Sequence, residues 1–187
     1  MNAGKPESCK ILVTGAARSG KSSFVLDWAQ AHPAPWMFVA TAKALDQEMA
    51  ERISKHKAQR APGWVTREEP VDLERALLDV PPDISVTVVD CVTLWLSNLI
   101  MEGLEDREIE RRGRELCEVV RQAARPLALV TNEVGWGIVP ENPLGRRFRD
   151  LSGALNQMLA QAVDKVVLMV AGLPLTLKPR ARPKEAW

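Results

Sequence analysis

The 187-residue sequence has only three cysteines, Cys9, Cys91 and Cys117. They are widely spaced, odd in number and form no C-x-x-C pair. That pattern excludes a disulfide framework and a cysteine zinc site, and predicts reduced thiols in a cytoplasmic protein. A surplus of one charge is missing too, since 25 Lys and Arg face 24 Asp and Glu for a net charge of +1. No overall field would draw the chain to nucleic acid or to an anionic membrane, and neither is expected as a partner. Long apolar runs are lacking. The opening MNAGKPESCK has no apolar signal core, and the most apolar stretch, residues 165–177, is broken by Gly172 and Pro174 and is too short to span a bilayer. No internal repeat is visible. With 46% hydrophobic and 26% charged residues, the composition is that of a soluble globular domain able to bury its own core. The expected division is a flexible leader over 1–8, one α/β domain over 9–178 and a disordered, Pro-rich basic tail over 179–187.

The stretch Ile11–Ser23, ILVTGAARSGKSS, joins a short apolar strand, a glycine-bounded loop and the start of a helix. Within it Gly15–Ser22 fits G-x-x-x-x-G-K-[ST], the phosphate-binding loop. Gly15 and Gly20 allow turns that a Cβ would hinder, so that the loop amides of Ala16, Ala17, Arg18 and Ser19 can converge on phosphate oxygens. The helix N-terminus adds partial positive charge. Lys21 supplies a mobile full charge near the β- and γ-phosphates, and the Ser22 hydroxyl can ligate Mg²⁺. These residues predict a nucleoside triphosphate-binding P-loop protein.

Alternating apolar runs and helical patterns predict a mostly parallel sheet flanked by helices. Strands are expected at Ile11–Thr14, Trp36–Ala40, Trp64–Arg67, Ile84–Val89, Leu127–Val130 and Val166–Ala171, with a short hairpin return at Leu175–Leu177. Helices are expected at Ser22–Ala31, Leu45–Arg60, Val71–Leu78, Val92–Ile100, 102–125 and 146–162. Thr41, Ala42 and Lys43 follow the carboxyl end of a strand, where ligands of open parallel sheets lie. In the Leu45–Arg60 helix, Leu45, Met49 and Ile53 mark a buried stripe. His56 falls about 20° from Leu45 around that helix and points inward, as a packed core residue or as a catalytic one. Asp90 closes a β-branched strand, where it orients Mg²⁺ or accepts a proton, and an N-cap of the next helix competes with that role. His32 reads as a surface loop residue, Cys117 as packed core, Glu68 and Glu69 as a solvated acidic turn. The charges of 102–125 alternate in sign and read as a solvated helix face. The long loop from Thr131 to Pro143 has the length of a functional segment.

Five pieces together, ILVTGAARSGKS, VATAK, ERISKHKAQR, VVDCVTLWLSN and VTNEVGWGIVPENPLGRRFRDLSGALNQ, resemble the bifunctional adenosylcobinamide kinase / adenosylcobinamide-phosphate guanylyltransferase family of cobalamin synthesis. The similarity runs from about Ile11 to Lys178, and its last piece is the most distinctive. The resemblance implies a RecA-like P-loop fold, a homotrimer with active sites between subunits, and two reactions. Adenosylcobinamide is phosphorylated on its aminopropanol hydroxyl by ATP or GTP, and GMP then passes from GTP to the phosphate through a guanylyl-histidine. That histidine is His56 by the resemblance. The nucleotide-contacting segments it implies are Thr41–Lys43, Lys57, Ala58, Gln59 and Arg60, with Glu68 and Asp90. Residues Gly135–Glu141 and Arg146–Asp150 are expected to shape the corrinoid or intersubunit side. This sequence departs from the family pattern in having Lys55 where a second histidine is frequent, Ala16 where a second loop glycine is common, and Asp90 where glutamate is frequent. The rival readings are a P-loop small-molecule kinase without guanylyl transfer and a nucleotide-binding switch or assembly ATPase. No arginine-finger signature supports the latter.

Overall fold

The computed structural model describes residues 8–44, 47, 51, 57 and 60–179. The stripe of Leu45, Met49 and Ile53, the inward register of His56, and the expected roles of Ala58 and Gln59 lie outside the described residues. So do residues 1–7 of the leader and 180–187 of the tail.

Runs of Val, Ile and Leu with no polar alternation suit strands covered on both faces, and the described residues form seven. They are β1 (Lys10–Gly15), β2 (Trp36–Ala40), β3 (Trp64–Glu68), β4 (Val86–Asp90), β5 (Leu127–Val130), β6 (Lys165–Val170) and β7 (Leu173–Lys178). They make one sheet in the order β3-β2-β4-β5-β1-β6-β7. Every pairing is parallel except β6 with β7. The helices are α1 (Lys21–Gln30), α2 (Leu73–Leu78), α3 (Val92–Met101), α4 (Asp106–Gln122) and α5 (Pro143–Ala162), with a 3₁₀ turn at Val134–Trp136. Alternate residues of each strand feed two cores. Leu12, Val89, Leu127 and Leu129 pack with Trp95, Leu99, Leu116, Leu155 and Leu159 of α3, α4 and α5. Ile11, Val13, Val86, Val88, Ala128 and Val130 pack on the other face with Val25 and Ala29 of α1.

This order places β5 between the strand that leads into the phosphate loop and the strand that ends in Asp90. The carboxyl ends of β1, β4 and β5 therefore meet at one edge, the position at which such sheets bind ligands.

Several boundaries differ from expectation. The last helix begins at Pro143 rather than 146. Asn142 is its N-cap, accepting a hydrogen bond from the Gly145 amide at 2.6 Å, and Pro143 occupies the first turn, where its missing N–H removes no bond. The charged helix starts at Asp106, after a turn containing Gly103 at φ +83°. The hairpin return runs over all of Leu173–Lys178. His32 lies in the bend between α1 and β2, as expected of a loop residue, but is half-buried, with its ring 5.3 Å from that of Trp28 in an edge-on contact. Cys117 is buried core as expected, and none of the three cysteines forms a disulfide.

Candidate functional site

The loop after β1 takes its shape from two glycines. Gly15 has φ +146°, and a Cβ added there would lie 2.5 Å from the Met169 carbonyl oxygen of neighbouring β6. Gly20, at φ +95°, holds the N-cap position of α1, which has no side-chain cap and so leaves its first amides to a ligand. Replacing Gly15 by alanine combines a forbidden backbone region with a backbone clash. The expected result is a loss of roughly 2–4 kcal/mol of stability, from the strain and overpacking involved, read as a lowered midpoint in urea. Between the glycines, Ala16, Ala17 and Arg18 form an exposed crest. Among described non-glycine residues only Arg18 and Ala171 have positive φ, so Ala16 meets no steric objection. Ser19 is 7% exposed and its Oγ is buried without a hydrogen-bond partner.

Lys21, the first residue of α1, is 7% exposed. Its Nζ donates to the carbonyls of Gly15 and Ala16 at 3.0 and 2.7 Å. Burial pulls its ammonium below the ordinary lysine range, and Asp90, Cys91 and Glu133 oppose that shift. The Cys91 thiol is pushed up to about 12, chiefly by burial. It therefore stays protonated at neutral pH, leaving Asp90 and Glu133 as the carboxylates that oppose the lowering of Lys21. On the next residue, Ser22 Oγ donates to Asp90 Oδ2 at 2.6 Å. The N-cap reading of Asp90 does not hold, because Cys91 occupies the N-cap position of α3. Thr41 braces this strand end: its Oγ1 donates to the Cys91 carbonyl at 2.7 Å and accepts the Cys91 amide at 2.9 Å. Asn98 of α3 donates to the Thr41 carbonyl at 2.8 Å. Thr41 thus aligns Asp90 from behind, buried, while Ala42 beside it is half-buried.

Glu133 was not among the expected nucleotide-site residues. It follows β5 by three positions, and its amide donates to the Gly15 carbonyl at 3.2 Å. Its Oε1 accepts Thr14 Oγ1 at 2.5 Å and Asn156 Nδ2 at 3.4 Å. Asn156, on α5, also accepts from Thr131 Oγ1 at 2.7 Å. The signal available in the sequence was a carboxylate just past a buried strand. Whether that strand adjoined β1 was not written locally.

The remaining expected residues lie at the β2–β3 side. Lys57 pairs with Glu68, and Lys43 pairs with Glu102 at 2.6 Å. The Arg60 guanidinium sits 4.1 Å above the Phe38 ring, and its Nη1 is buried without a hydrogen-bond partner. Burial lowers the Arg60 pKa while Asp90 and Glu68 oppose the change. Arg60 therefore faces the same carboxylate that receives Ser22. Lys43 and Lys57, in contrast, are each engaged in an ion pair with a glutamate.

A hydroxyl and a carboxylate 2.6 Å apart offer hard oxygen donors. Mg²⁺ prefers such sites, taking one or two protein oxygens and completing its shell from phosphate and water. Among the described residues no group of three or more His, Cys, Asp and Glu side chains could cage a metal. The donor set fits Mg²⁺ carried in with a nucleotide and no all-protein metal centre.

Residues 11–177 match the family described as cobinamide kinase / cobinamide phosphate guanyltransferase (CobU). The chain is 40% identical over 185 residues to the bifunctional adenosylcobalamin biosynthesis protein CobU of Salmonella typhimurium, covering 90% of this chain and 99% of that one. It is 38% identical over 167 residues to the bifunctional protein CobP of Pseudomonas aeruginosa, with 89% and 96% covered. Among solved structures it resembles a protein from Pyrococcus horikoshii OT3, with a TM-score of 0.54, 12% identity and 91% and 86% of the two chains covered. The flagellar accessory protein FlaH from Methanocaldococcus jannaschii gives a TM-score of 0.50 at 13% identity, with 95% and 81% covered. The structural matches bear on the fold, which is a P-loop NTPase fold with a mostly parallel sheet. No helix among the described residues is long and apolar enough to cross a membrane.

Proposed function

Because the chain belongs to the cobinamide kinase / cobinamide phosphate guanyltransferase family, we propose that it is the bifunctional enzyme that phosphorylates adenosylcobinamide and then guanylylates the phosphate. The observation that carries the reading is the meeting of Lys21, Ser22, Asp90 and Glu133 at one phosphate loop, in a chain whose family match covers almost all of it.

In the first reaction the aminopropanol hydroxyl oxygen attacks the γ-phosphorus of ATP or GTP and gives up its proton to solvent, the bond to the bridging oxygen breaks, and the nucleoside diphosphate leaves. The amides of residues 16–20 and the N-terminus of α1 hold the phosphates in line, and Lys21 meets the negative charge that develops on them. Asp90 and Ser22 would hold Mg²⁺, which would supply Lewis-acid neutralisation of the phosphate charge. Glu133 supports Lys21 electrostatically and fixes the loop through its amide.

In the second reaction an imidazole nitrogen of His56 attacks the α-phosphorus of GTP. A P–N bond forms, the bond to the β-phosphate oxygen breaks, and pyrophosphate leaves. A phosphate oxygen of adenosylcobinamide phosphate then displaces the imidazole, giving adenosylcobinamide-GDP. Neutral imidazole, with an unperturbed pKa of about 6.5, is available for this at neutral pH. Thr41, Ala42, Lys43, Lys57, Ala58, Gln59, Arg60 and Glu68 complete the nucleotide-contacting side in this reading. The active unit is a homotrimer in the cytoplasm, with no nucleic acid or membrane partner.

The test is incubation of the purified protein with GTP, Mg²⁺ and adenosylcobinamide, followed by mass analysis of the corrinoid. The reading expects a phosphate addition and then a GMP addition, each dependent on the corrinoid. A product that stops at the phosphate supports the simple-kinase reading. Nucleotide turnover indifferent to corrinoid supports the switch or ATPase reading.

A further inference from the structure

The two reactions differ by one proton. The acceptor of the first is an alcohol, un-ionised at neutral pH, so a proton must leave as the new P–O bond forms. The second has no such need, because a phosphate monoester is largely ionised at pH 7 and neutral imidazole attacks with a lone pair. A proton acceptor at this site would serve the first reaction alone. Glu68, Glu69, Asp90 and Glu133 stand at or just past the carboxyl ends of β3, β4 and β5. Glu68 is paired with Lys57. Glu69 turns back onto its own chain, accepting the Val71 and Asp72 amides at 3.1 and 2.8 Å. Asp90 accepts Ser22 Oγ at 2.6 Å and is the metal-holding carboxylate of the reading above. Glu133 remains, and it lies at the phosphate loop itself. The Gly15 carbonyl accepts both the Lys21 ammonium at 3.0 Å and the Glu133 amide at 3.2 Å.

We propose that Glu133 is the general base of the phosphoryl-transfer step, taking the proton of the acceptor hydroxyl on its way to solvent. The proposal rests on the functional reading above and adds to it the group that receives this proton. The hydroxyl O–H bond breaks, and its electron pair forms the bond to the γ-phosphorus. The bond from that phosphorus to the bridging oxygen breaks in turn, its pair leaving with the nucleoside diphosphate. The proton sits on a Glu133 oxygen before release. The carboxylate is held for this. Leu12 packs with residues of α5, and Thr14, two positions on along β1, shares that face of the sheet. Thr14 Oγ1 donates to Glu133 Oε1 at 2.5 Å, and Asn156 of α5 donates to the same oxygen at 3.4 Å. Asn156 is fixed in its turn, accepting from Thr131 Oγ1 at 2.7 Å and donating to the Asn132 carbonyl at 3.2 Å. Among the described residues no hydrogen bond falls on Oε2, and Glu133 is only half-buried. One oxygen is thus anchored and the other is open to a hydroxyl. Proton transfer to a positioned carboxylate contributes about 10²–10⁴-fold in rate.

Glu133 also acts electrostatically on Lys21, and the two reactions separate that role from the one proposed. Glu133→Gln removes the proton acceptor, while its side-chain carbonyl can still accept from Thr14 and Asn156. In single-turnover assays with this variant, phosphoryl transfer to adenosylcobinamide is expected to slow by about 10²-fold or more. GMP transfer to adenosylcobinamide phosphate, supplied ready-made, should stay within about fivefold of wild type, which also reports a folded site. Glu133→Asp keeps a charge beside Lys21 but draws the carboxylate back by one methylene. It is expected to slow phosphoryl transfer by about tenfold or more, with GMP transfer again within about fivefold. Phosphoryl transfer within about threefold of wild type in Glu133→Gln overturns the proposal, as does the same result in Glu133→Asp should the amide variant not fold. Slowing of both reactions by the same factor in a folded variant overturns it too, since Glu133 would then act only through Lys21. Failure of the wild-type protein to phosphorylate adenosylcobinamide at all overturns the functional reading instead.

Discussion

Lys21→Met folds, yet loses both reactions by on the order of 10²–10³-fold, the effect of deleting one preorganised group aimed at developing charge. Both steps expel a phosphate-bearing leaving group, and the same ammonium lies against the loop that holds it. A kinase-only loss, with guanylyl transfer intact, would show that the second reaction uses a different phosphate cradle. Stability moves the other way. The folded-state pKa of Lys21 lies below its ordinary value, burial being the main cause, so the unfolded chain binds this proton more tightly than the folded one. The destabilisation is fully present below the folded-state pKa and fades as pH rises through it toward the unfolded value. Lys21→Met is therefore expected to melt above wild type at pH 7, with the gap narrowing toward alkaline pH. Thermal melts across pH 7–10.5 check this, and a gap that widens with pH contradicts it. Trading stability for a buried cation is the mark of a residue kept for chemistry rather than for folding.

What the sequence discloses depends on the range of the interaction. Strand cores such as Val86–Val89 and Leu127–Val130 are legible because burial on both faces leaves no polar residue in them. The phosphate loop is legible because its glycines, lysine and serine act within eight consecutive positions. Asp90 needed one further inference, from the carboxyl end of a strand to the neighbouring loop, and the Ser22–Asp90 bond has the geometry that inference requires. Glu133 needed the strand order. Its bond with Thr14 crosses 119 residues and exists only because β5 inserts next to β1, which no local pattern states. The start of α5 was different, since Asn142 and Pro143 carry a local helix-start signal that the run of arginines after it obscured. His32 also had a local partner, Trp28 four residues before it near the end of α1.

His56→Ala is expected to abolish protein labelling by GTP carrying label at the α-phosphate, and to lower GMP transfer by about 10³-fold or more, as removal of a covalent nucleophile does. Kinase activity remains, so adenosylcobinamide phosphate accumulates, and that accumulation distinguishes a missing nucleophile from a misfolded site. The choice of residue rests on more than family position. The sequence holds two histidines, His32 and His56. His32 follows the carboxyl end of α1, whose ten residues separate it from the phosphate loop by about 15 Å at the ordinary helical rise, and its ring is engaged with Trp28. It cannot reach an α-phosphorus held at the other end of that helix, so His32→Ala should label as wild type does. With Lys55 standing where a second histidine is frequent, no neighbouring imidazole can substitute for His56. The adduct, a phosphoramidate, should be lost in acid and stable in alkali, unlike an ester on Ser22 or Ser23. Persistent acid-labile labelling of His56→Ala would move the nucleophile elsewhere and break the link between His56 and the second reaction.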